Sequence, residues 1–341
     1  VDILLLEALV PEALAWLESR HTVEYRPELA DDPSALRKAA YKSKAAVLPR
    51  KVVVTREFLD FAPKLKAVAR MHVGTDNTDL EACRDKNVKV IQATTANVRS
   101  NAEFLLAALL MMYRRGIASS MNGNRHAEIR MGRELNGSVV GILGLAPTAH
   151  TLAVMLGSLG AKLIGYDPAV HHTAPIWQRL RIQPVSLPEL MAQADSVSVQ
   201  VMYASRYRGL INAKVLAHCR RSQMWVGISR SSLFDPAALA EALGDGRIEG
   251  CMLDGAESGF ASRGSPLHEV SNLYLTPRMG SHTRESRLRA SWYVAHRIHE
   301  AIGVPASGFD ALHSTPGSLD SGPSSESPSG WGEPQEIKGS A

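Results

Sequence analysis

One turn constrains this chain more than any other stretch. The apolar run Val139, Val140, Gly141, Ile142, Leu143 leads into Gly144-Leu145-Ala146-Pro147-Thr148-Ala149, and an apolar helical repeat (Leu152, Met155, Leu156, Leu159) follows. A second run from Lys162 to Tyr166 then ends in Asp167. Strand, tight turn, helix, strand and acid form the order of a dinucleotide-binding unit, in which the helix N-terminus faces a pyrophosphate and the acid takes a ribose hydroxyl. The usual G-x-G-x-x-G is reduced here to G-x-A-x-x-A. Gly144 keeps the tight turn, Ala149 is a mild change where helix and strand pack, and Ala146 puts a methyl into phosphate space. Pro147 removes one N–H, yet suits the first turn of a helix. The expected cofactor contacts are Gly144, Ala146, Thr148, Ala149 and Asp167. Asp167 favours NAD over NADP by repelling a 2′-phosphate. Weakened or lost cofactor binding is the alternative that the missing glycines raise.

Short apolar runs alternate with amphipathic helix patterns on both sides of this turn, which is the sequence form of parallel sheets flanked by helices. Strands are expected at residues 3–6, 45–48, 67–71 and 89–91, then at 139–143, 163–166, 196–201, 224–228, 250–253 and 273–276. Helices are expected around 55–61 and 80–83, and a long one over 100–113. The pattern restarts at Gly137, so the fold class is α/β with two doubly wound parallel-sheet domains. A flavodoxin-like substrate domain takes residues 1–98 and 285–303, through a last helix around 287–302 that packs back on it. A Rossmann cofactor domain takes 99–284. Residues 304–341, rich in Ser, Gly, Pro and Glu towards the end, lack the apolar surface to offset ordering entropy and are expected to be disordered.

Composition excludes several classes. With 45% hydrophobic and 21% charged residues over 341 positions, the chain reads as a soluble globular protein. A net charge of +4 with no basic block gives nucleic-acid binding no support. No run approaches the ~18 apolar residues of a membrane span. The 3 cysteines, Cys83, Cys219 and Cys251, are widely spaced, which points to a reducing compartment, with the cytoplasm expected. No metal site is expected, since His171 and His172 are joined by no further ligand at useful spacing.

Several separate blocks, in order along the chain, resemble the NAD-dependent D-2-hydroxyacid dehydrogenase family over roughly residues 1–303. They are His72-Val73-Gly74-Thr75-Asp76-Asn77-Thr78-Asp79, Asn97-x-x-Ser100-x-Ala102-Glu103, Leu135-Asn136-Gly137, and Gly209-Leu210-Ile211-Asn212. Further on come Ser229-Arg230-Ser231-Ser232-Leu233-Phe234-Asp235, Leu253-Asp254-Gly255-Ala256-Glu257 and Leu275-Thr276-Pro277-Arg278. The resemblance implies a substrate-binding set of Val73, Gly74 and Asn97, and a catalytic set of Arg230, Glu257 and Arg278. Ser229 and Asp254 join the cofactor contacts, Asp254 through the nicotinamide carboxamide or, on the plainer reading, as a turn cap. Arg230 would pair with the substrate carboxylate through its planar fork. Glu257 would orient the proton-carrying histidine that the family keeps where this chain has Arg278.

An arginine stays protonated at ordinary pH and cannot shuttle a proton. Beside Glu257 it would more naturally form a fixed ion pair, and it could enlarge the anionic subsite for a second carboxylate or a phosphate. His282 and His72 are candidates to replace the missing acid/base, with plain loop residues as the favoured reading. The first expectation for function is an NAD(H)-dependent oxidoreductase acting on a small 2-oxo or 2-hydroxy acid. The second is a catalytically retired, NAD-sensing interaction protein similar to the C-terminal-binding-protein and ANGUSTIFOLIA-type branch, which shares the L-D-G-A-E block and a Pro-Arg in place of Pro-His. The third is a non-redox enzyme in the same cleft. Expected partners are a small anionic substrate, a second copy of the chain through the apolar helix around residues 104–112, and proteins reached through the tail. Neither nucleic acid nor membrane is expected.

Overall fold

The structure is a computed structural model that describes residues 1–71, 77–115, 131–202 and 204–303. The expected disorder of 304–341 therefore concerns residues outside those described. Ile3, Leu4 and Leu5 have no exposed surface. A strand reads as a continuous apolar run when helices cover both faces of its sheet. That is why β1 (Ile3–Leu5), β3 (Ala45–Val47) and β4 (Ala67–Arg70) lie inside the first sheet, flanked by β2 (Val23–Tyr25) and β5 (Lys89–Gln92). The order is β2-β1-β3-β4-β5, parallel throughout, the doubly wound flavodoxin-like arrangement.

The second sheet contains β6 (Val139–Leu143), β7 (Lys162–Tyr166), β8 (Gln183–Pro184), β9 (Ser196–Val199), β10 (Gln223–Gly227), β11 (Ile248–Asp254) and β12 (Leu273–Thr276). Its order is β12-β11-β10-β9-β6-β7-β8, again wholly parallel. The winding reverses between β6 and β9, and ligands of such sheets sit outside the carboxyl ends of the strands at that reversal. Two strands escape the sequence pattern, β2 and β8. Both are sheet edges: β2 is half exposed and β8 is two residues long and contains Pro184. An edge strand needs no apolar run on both faces, so it leaves a weaker signal.

A hinge helix (Val98–Tyr113) leads from the first sheet to the second. Its buried residues Ala102, Leu105, Leu109 and Met112 recur at helical spacing. They share one apolar cluster with Ala149, Leu152, Ala153 and Leu156 of the turn helix (Pro147–Ser158). Each fully buried leucine there contributes about 1.5–3 kcal/mol. The closing helix (Arg284–Ile302) returns to the first sheet, where Ala290, Val294, Ala295 and Ile298 pack with Ile3, Leu5, Ala13 and Leu17. Cys83, Cys219 and Cys251 are free and buried. Burial pushes the Cys219 thiol up to about 12, which keeps it unreactive. No helix of the described residues is long and apolar enough to cross a membrane.

One contact ties the ends of this domain together. His21, just after the first helix (Pro11–Glu18), places Nε2 2.8 Å from Nδ1 of His299 on the closing helix. Two imidazoles at that distance share one proton and resist a second charge. Burial lowers the His21 pKa, His299 lowers it further, Lys44 and Arg20 act in the same direction, and Asp2 opposes them. A base whose folded pKa is depressed stabilises the fold above its unfolded value of about 6.5, and that stability is lost as pH falls below it. The melting temperature should therefore drop between pH 7.5 and pH 5.5 by roughly 1–3 °C more in the wild type than in His21→Asn. Equal drops in scanning calorimetry would remove the pair from the pH response.

Candidate active site

The carboxyl ends of the second sheet carry most of the expected site. After β6 the chain turns at Gly144 with φ +97°, and a Cβ there would overlap Val201 N and stand 2.5 Å from Val201 Cα. Only glycine fits that approach. Gln200 donates from Nε2 to the Gly144 carbonyl at 3.1 Å, and Ser198 Oγ fixes Gln200 by donating to Oε1 at 2.8 Å. Asp167 accepts from Leu145 N at 2.6 Å and from Ala169 N at 2.7 Å. Each carboxylate oxygen keeps lone-pair capacity for a ribose hydroxyl.

Ala146 caps the turn helix with no side-chain hydrogen bond, so the positive end of the helix dipole points at the crevice. Ala149 has no exposed surface and packs with Val140 and Ile142, which is how its methyl is absorbed. Thr148 is buried. The cradle that demands Gly144, the uncapped helix and the placement of Asp167 fit a dinucleotide, with one amide fewer because of Pro147. A cavity of about 710 Å³ opens beside Asp167, lined by Tyr166, Trp177, Pro184 and Glu189 among others. His171 and His172 lie with ring centroids 4.1 Å apart, tilted by 37°, at its exposed rim. No metal-holding cluster of His, Cys, Asp or Glu exists among the described residues.

On the other side of the winding reversal, Ser229 donates from Oγ to the Val201 carbonyl at 3.1 Å, and Arg230 follows at the cap of a short 3-10 turn. Ser231, nearly fully buried, donates from Oγ to Glu257 Oε2 and accepts from Glu257 N at 2.9 Å. Glu257 Oε1 is buried and has no hydrogen-bond partner. Arg278 adopts a left-handed backbone, φ +59°, and lies across Gly255. A Cβ on Gly255 (φ +86°) would overlap Arg278 Cγ and meet Cζ at 3.1 Å and Nε at 3.2 Å.

The expected ion pair between Arg278 and Glu257 is not formed. Ser231 holds the carboxylate, and Gly255 supplies a seat that draws the guanidinium elsewhere. Asp254 accepts from Thr276 Oγ1 at 2.6 Å, Met279 N at 2.7 Å and Gly280 N at 2.8 Å. Its visible work is the turn cap, which anchors the loop that carries Arg278. Ser100 Oγ on the hinge helix donates to the Gly280 carbonyl of the same loop.

Asn97 stands before the hinge helix with Oδ1 buried and unpartnered. Val73, Gly74 and His72 lie outside the described residues. His282 is exposed, and its amide closes a turn onto Met279. Arg206 donates to Tyr207 Oη at 2.8 Å and covers that ring from outside.

Sequence reasoning missed a group on the first sheet. Arg70, at the end of β4, has no exposed surface and donates to Pro49 O at 2.8 Å, to Asn77 O at 3.0 Å and to Thr78 Oγ1 at 3.0 Å. It thereby fixes the two loops at the carboxyl edge of that sheet. An arginine closing an apolar strand was the available signal. Burial lowers the Arg70 guanidinium to about 10, Glu7 acts against that, and Arg50 adds to it. Burial raises Glu7, against Arg287 and Arg70. Arg50 itself is lowered by burial, then by Arg278 and Arg230.

Residues 104–280 match the family model described as D-isomer specific 2-hydroxyacid dehydrogenase, NAD binding domain. The chain belongs to this family. It is 32% identical over 308 residues to (S)-sulfolactate dehydrogenase of Chromohalobacter salexigens, covering 89% of this chain and 99% of that protein. It is 33% identical over 306 residues to D-3-phosphoglycerate dehydrogenase of Mycobacterium bovis, covering 88% of this chain and 56% of that protein, so it spans about half of that relative. The crystal structure of the TT0316 protein from Thermus thermophilus superposes with a TM-score of 0.74 at 26% identity, covering 87% of this chain and 96% of that one. As a D-2-hydroxyacid dehydrogenase-family oxidoreductase, the chain has a Rossmann NAD-binding domain, and NAD is the cofactor this domain takes. The likeness to the corepressor branch rests on its sequence blocks alone.

The seat of Arg278 makes a measurable demand on Gly255. Gly255→Ala should cost about 1–3 kcal/mol in urea unfolding, from the left-handed backbone and the overlap with Arg278. Adding Arg278→Ala should relieve part of that cost, so the two changes couple. Strict additivity would mean that the two residues do not pack.

Proposed function

We propose that the cleft interconverts a small 2-oxo acid and its 2-hydroxy acid with NAD(H). The observation that carries this reading is the placement of Arg230 at the carboxyl end of β10, on the substrate side of the winding reversal, opposite the dinucleotide turn. NAD(H) supplies the hydride chemistry when bound. Arg230 takes the substrate carboxylate through paired, charge-assisted hydrogen bonds. Arg278, a permanent cation, stabilises negative charge developing on the carbonyl oxygen without giving up a proton. The proton then comes from water. Ser231 and Glu257 hold the strand ends on which the two arginines stand. The relatives named for sulfolactate and 3-phosphoglycerate support a short acid as substrate.

A second copy of the chain pairs through the outer face of the hinge helix, where Leu110 and Met111 remain exposed at 39% and 45%. The cytoplasm is the proposed location. A retired, NAD-sensing interaction protein, reaching partners through residues 304–341, is the second reading. The lack of a proton carrier at position 278 favours it.

NADH absorbance should fall with at least one acid of a 2-oxo-acid panel, and Arg230→Ala should lower kcat/KM by about 100-fold or more. No turnover of any acid while NADH binding is intact would favour the retired reading. The pH profile separates the roles at position 278. With no histidine acting there, the wild-type rate should vary less than about twofold from pH 6 to 8, whereas Arg278→His should acquire a limb near pH 6.5–7. A wild-type profile with that same limb would show that another group carries the proton.

A further inference from the structure

We infer that Ser100 is a positioning residue for Arg278: from the first turn of the hinge helix, its hydroxyl holds the loop that carries this arginine. The inference deepens the reading in which Arg278 meets charge developing on the carbonyl oxygen, and rests on it. Ser100 acts through the loop and not on the reacting atoms.

The chain passes between the two sheets twice. It goes out through residues 93–97 into the hinge helix and returns through residues 277–283 into the closing helix. Ser100, buried on the hinge helix, donates from Oγ to the Gly280 carbonyl on the return passage, 180 residues away. Arg289 of the closing helix donates from Nε to the Ala96 carbonyl on the outward passage at 2.8 Å. The two passages are therefore stitched together from both sides. Gly280 also lies close on the hinge helix, since a Cβ there would stand 2.9 Å from Asn101 Oδ1 and 3.3 Å from Phe104 Cγ. A larger residue would lift the loop from the helix.

Arg278 depends on such tethers. Its backbone is left-handed, φ +59°, a conformation that is costly for any residue with a Cβ and persists only where its surroundings impose it. Asp254 accepts from Met279 N and Gly280 N, and the Arg278 amide closes onto the Thr276 carbonyl at 3.0 Å. Those bonds tie the loop to β11 and β12 alone. Ser100 supplies the tie to the hinge helix. Without it the buried Gly280 carbonyl loses its partner, and the loop gains by moving towards water. As the backbone leaves the left-handed region, the guanidinium leaves its seat over Gly255. The same helical turn begins at Asn97, whose carbonyl accepts from Asn101 N at 2.8 Å and whose Oδ1 is buried and unpartnered. One rigid turn thus sets the place of both Asn97 and Arg278.

The test uses two planar probes that bind without reacting. Oxamate puts a neutral carbonyl oxygen, and oxalate a charged carboxylate oxygen, where negative charge develops on a 2-oxo acid. The ratio of their dissociation constants, measured by calorimetry on the full chain with NADH present, therefore reads Arg278. Oxalate should bind the wild type about tenfold more tightly than oxamate, the scale of one charge-assisted contact. Arg278→Ala should abolish that preference. Ser100→Ala should cut it by about threefold or more with oxamate affinity unchanged, and should add nothing in the Arg278→Ala background. Ser100→Cys, which fills the same space with a weaker donor, should fall between, and carries the test alone if Ser100→Ala does not fold.

A serine that served folding alone would weaken both probes equally, or lower the melting temperature with the ratio intact. Either result would overturn the positioning role. So would a loss in Ser100→Ala that persists undiminished beside Arg278→Ala. The two readings fail separately. Loss of the oxalate preference in Ser100→Ala, with no hydride transfer to any acid, would sink the proposed reaction and leave the positioning. Turnover that depends on Arg278, with an unchanged ratio in Ser100→Ala, would sink the positioning and leave the reaction. A wild type that does not prefer oxalate would contradict the role of Arg278, and the positioning with it.

Discussion

The closure of the chain at Gly144 is the constraint on which the rest depends. Gly144 brings its backbone against Val201, a contact that a single methyl would block. That contact joins β6 to the end of β9, the two strands between which the sheet reverses its winding. Gln200 holds the Gly144 carbonyl, and Asp167 holds the next amide at Leu145. With the turn clamped from both neighbouring strands, the other glycines of the motif can be lost while the shape is kept. Ala149 sits in the apolar cluster, and Pro147 starts the helix. What remains is a crevice with a helix dipole on one wall and an acid on the other.

The centre beyond the reversal is built from residues that hold one another in pairs. Ser231 and Glu257 bond to each other, and Arg278 and Gly255 pack on each other. Asp254 then fixes the loop between them. The result is a cleft whose chemistry is electrostatic, with an arginine seated at position 278 and the Glu257 carboxylate held by Ser231.

The interior strands of both sheets were legible because burial on two faces demands long apolar runs. The edges β2 and β8 were not, because half-exposed strands carry no such demand. The residues of the second-sheet site were legible from motif order, and the structure brings Arg230, Glu257, Arg278, Ser229 and Asp254 to one edge. Who bonds to whom was not legible. An ion pair between Arg278 and Glu257 was expected from charge alone, but a serine hydroxyl beyond the neighbouring strand took the carboxylate. Arg70 was passed over because its partners Pro49, Asn77 and Thr78 lie on two separate loops that only the fold brings to the end of β4. Three-dimensional neighbours of that kind leave no spacing in the sequence.

The central claim is that a turn reduced to one of its glycines still presents a working dinucleotide crevice. Calorimetric titration of the full chain with NADH tests it most directly. The account predicts saturable binding at one site per chain, with a Kd well below the millimolar range. No heat of binding at millimolar NADH would contradict it, and with it the proposed hydride chemistry of the cleft.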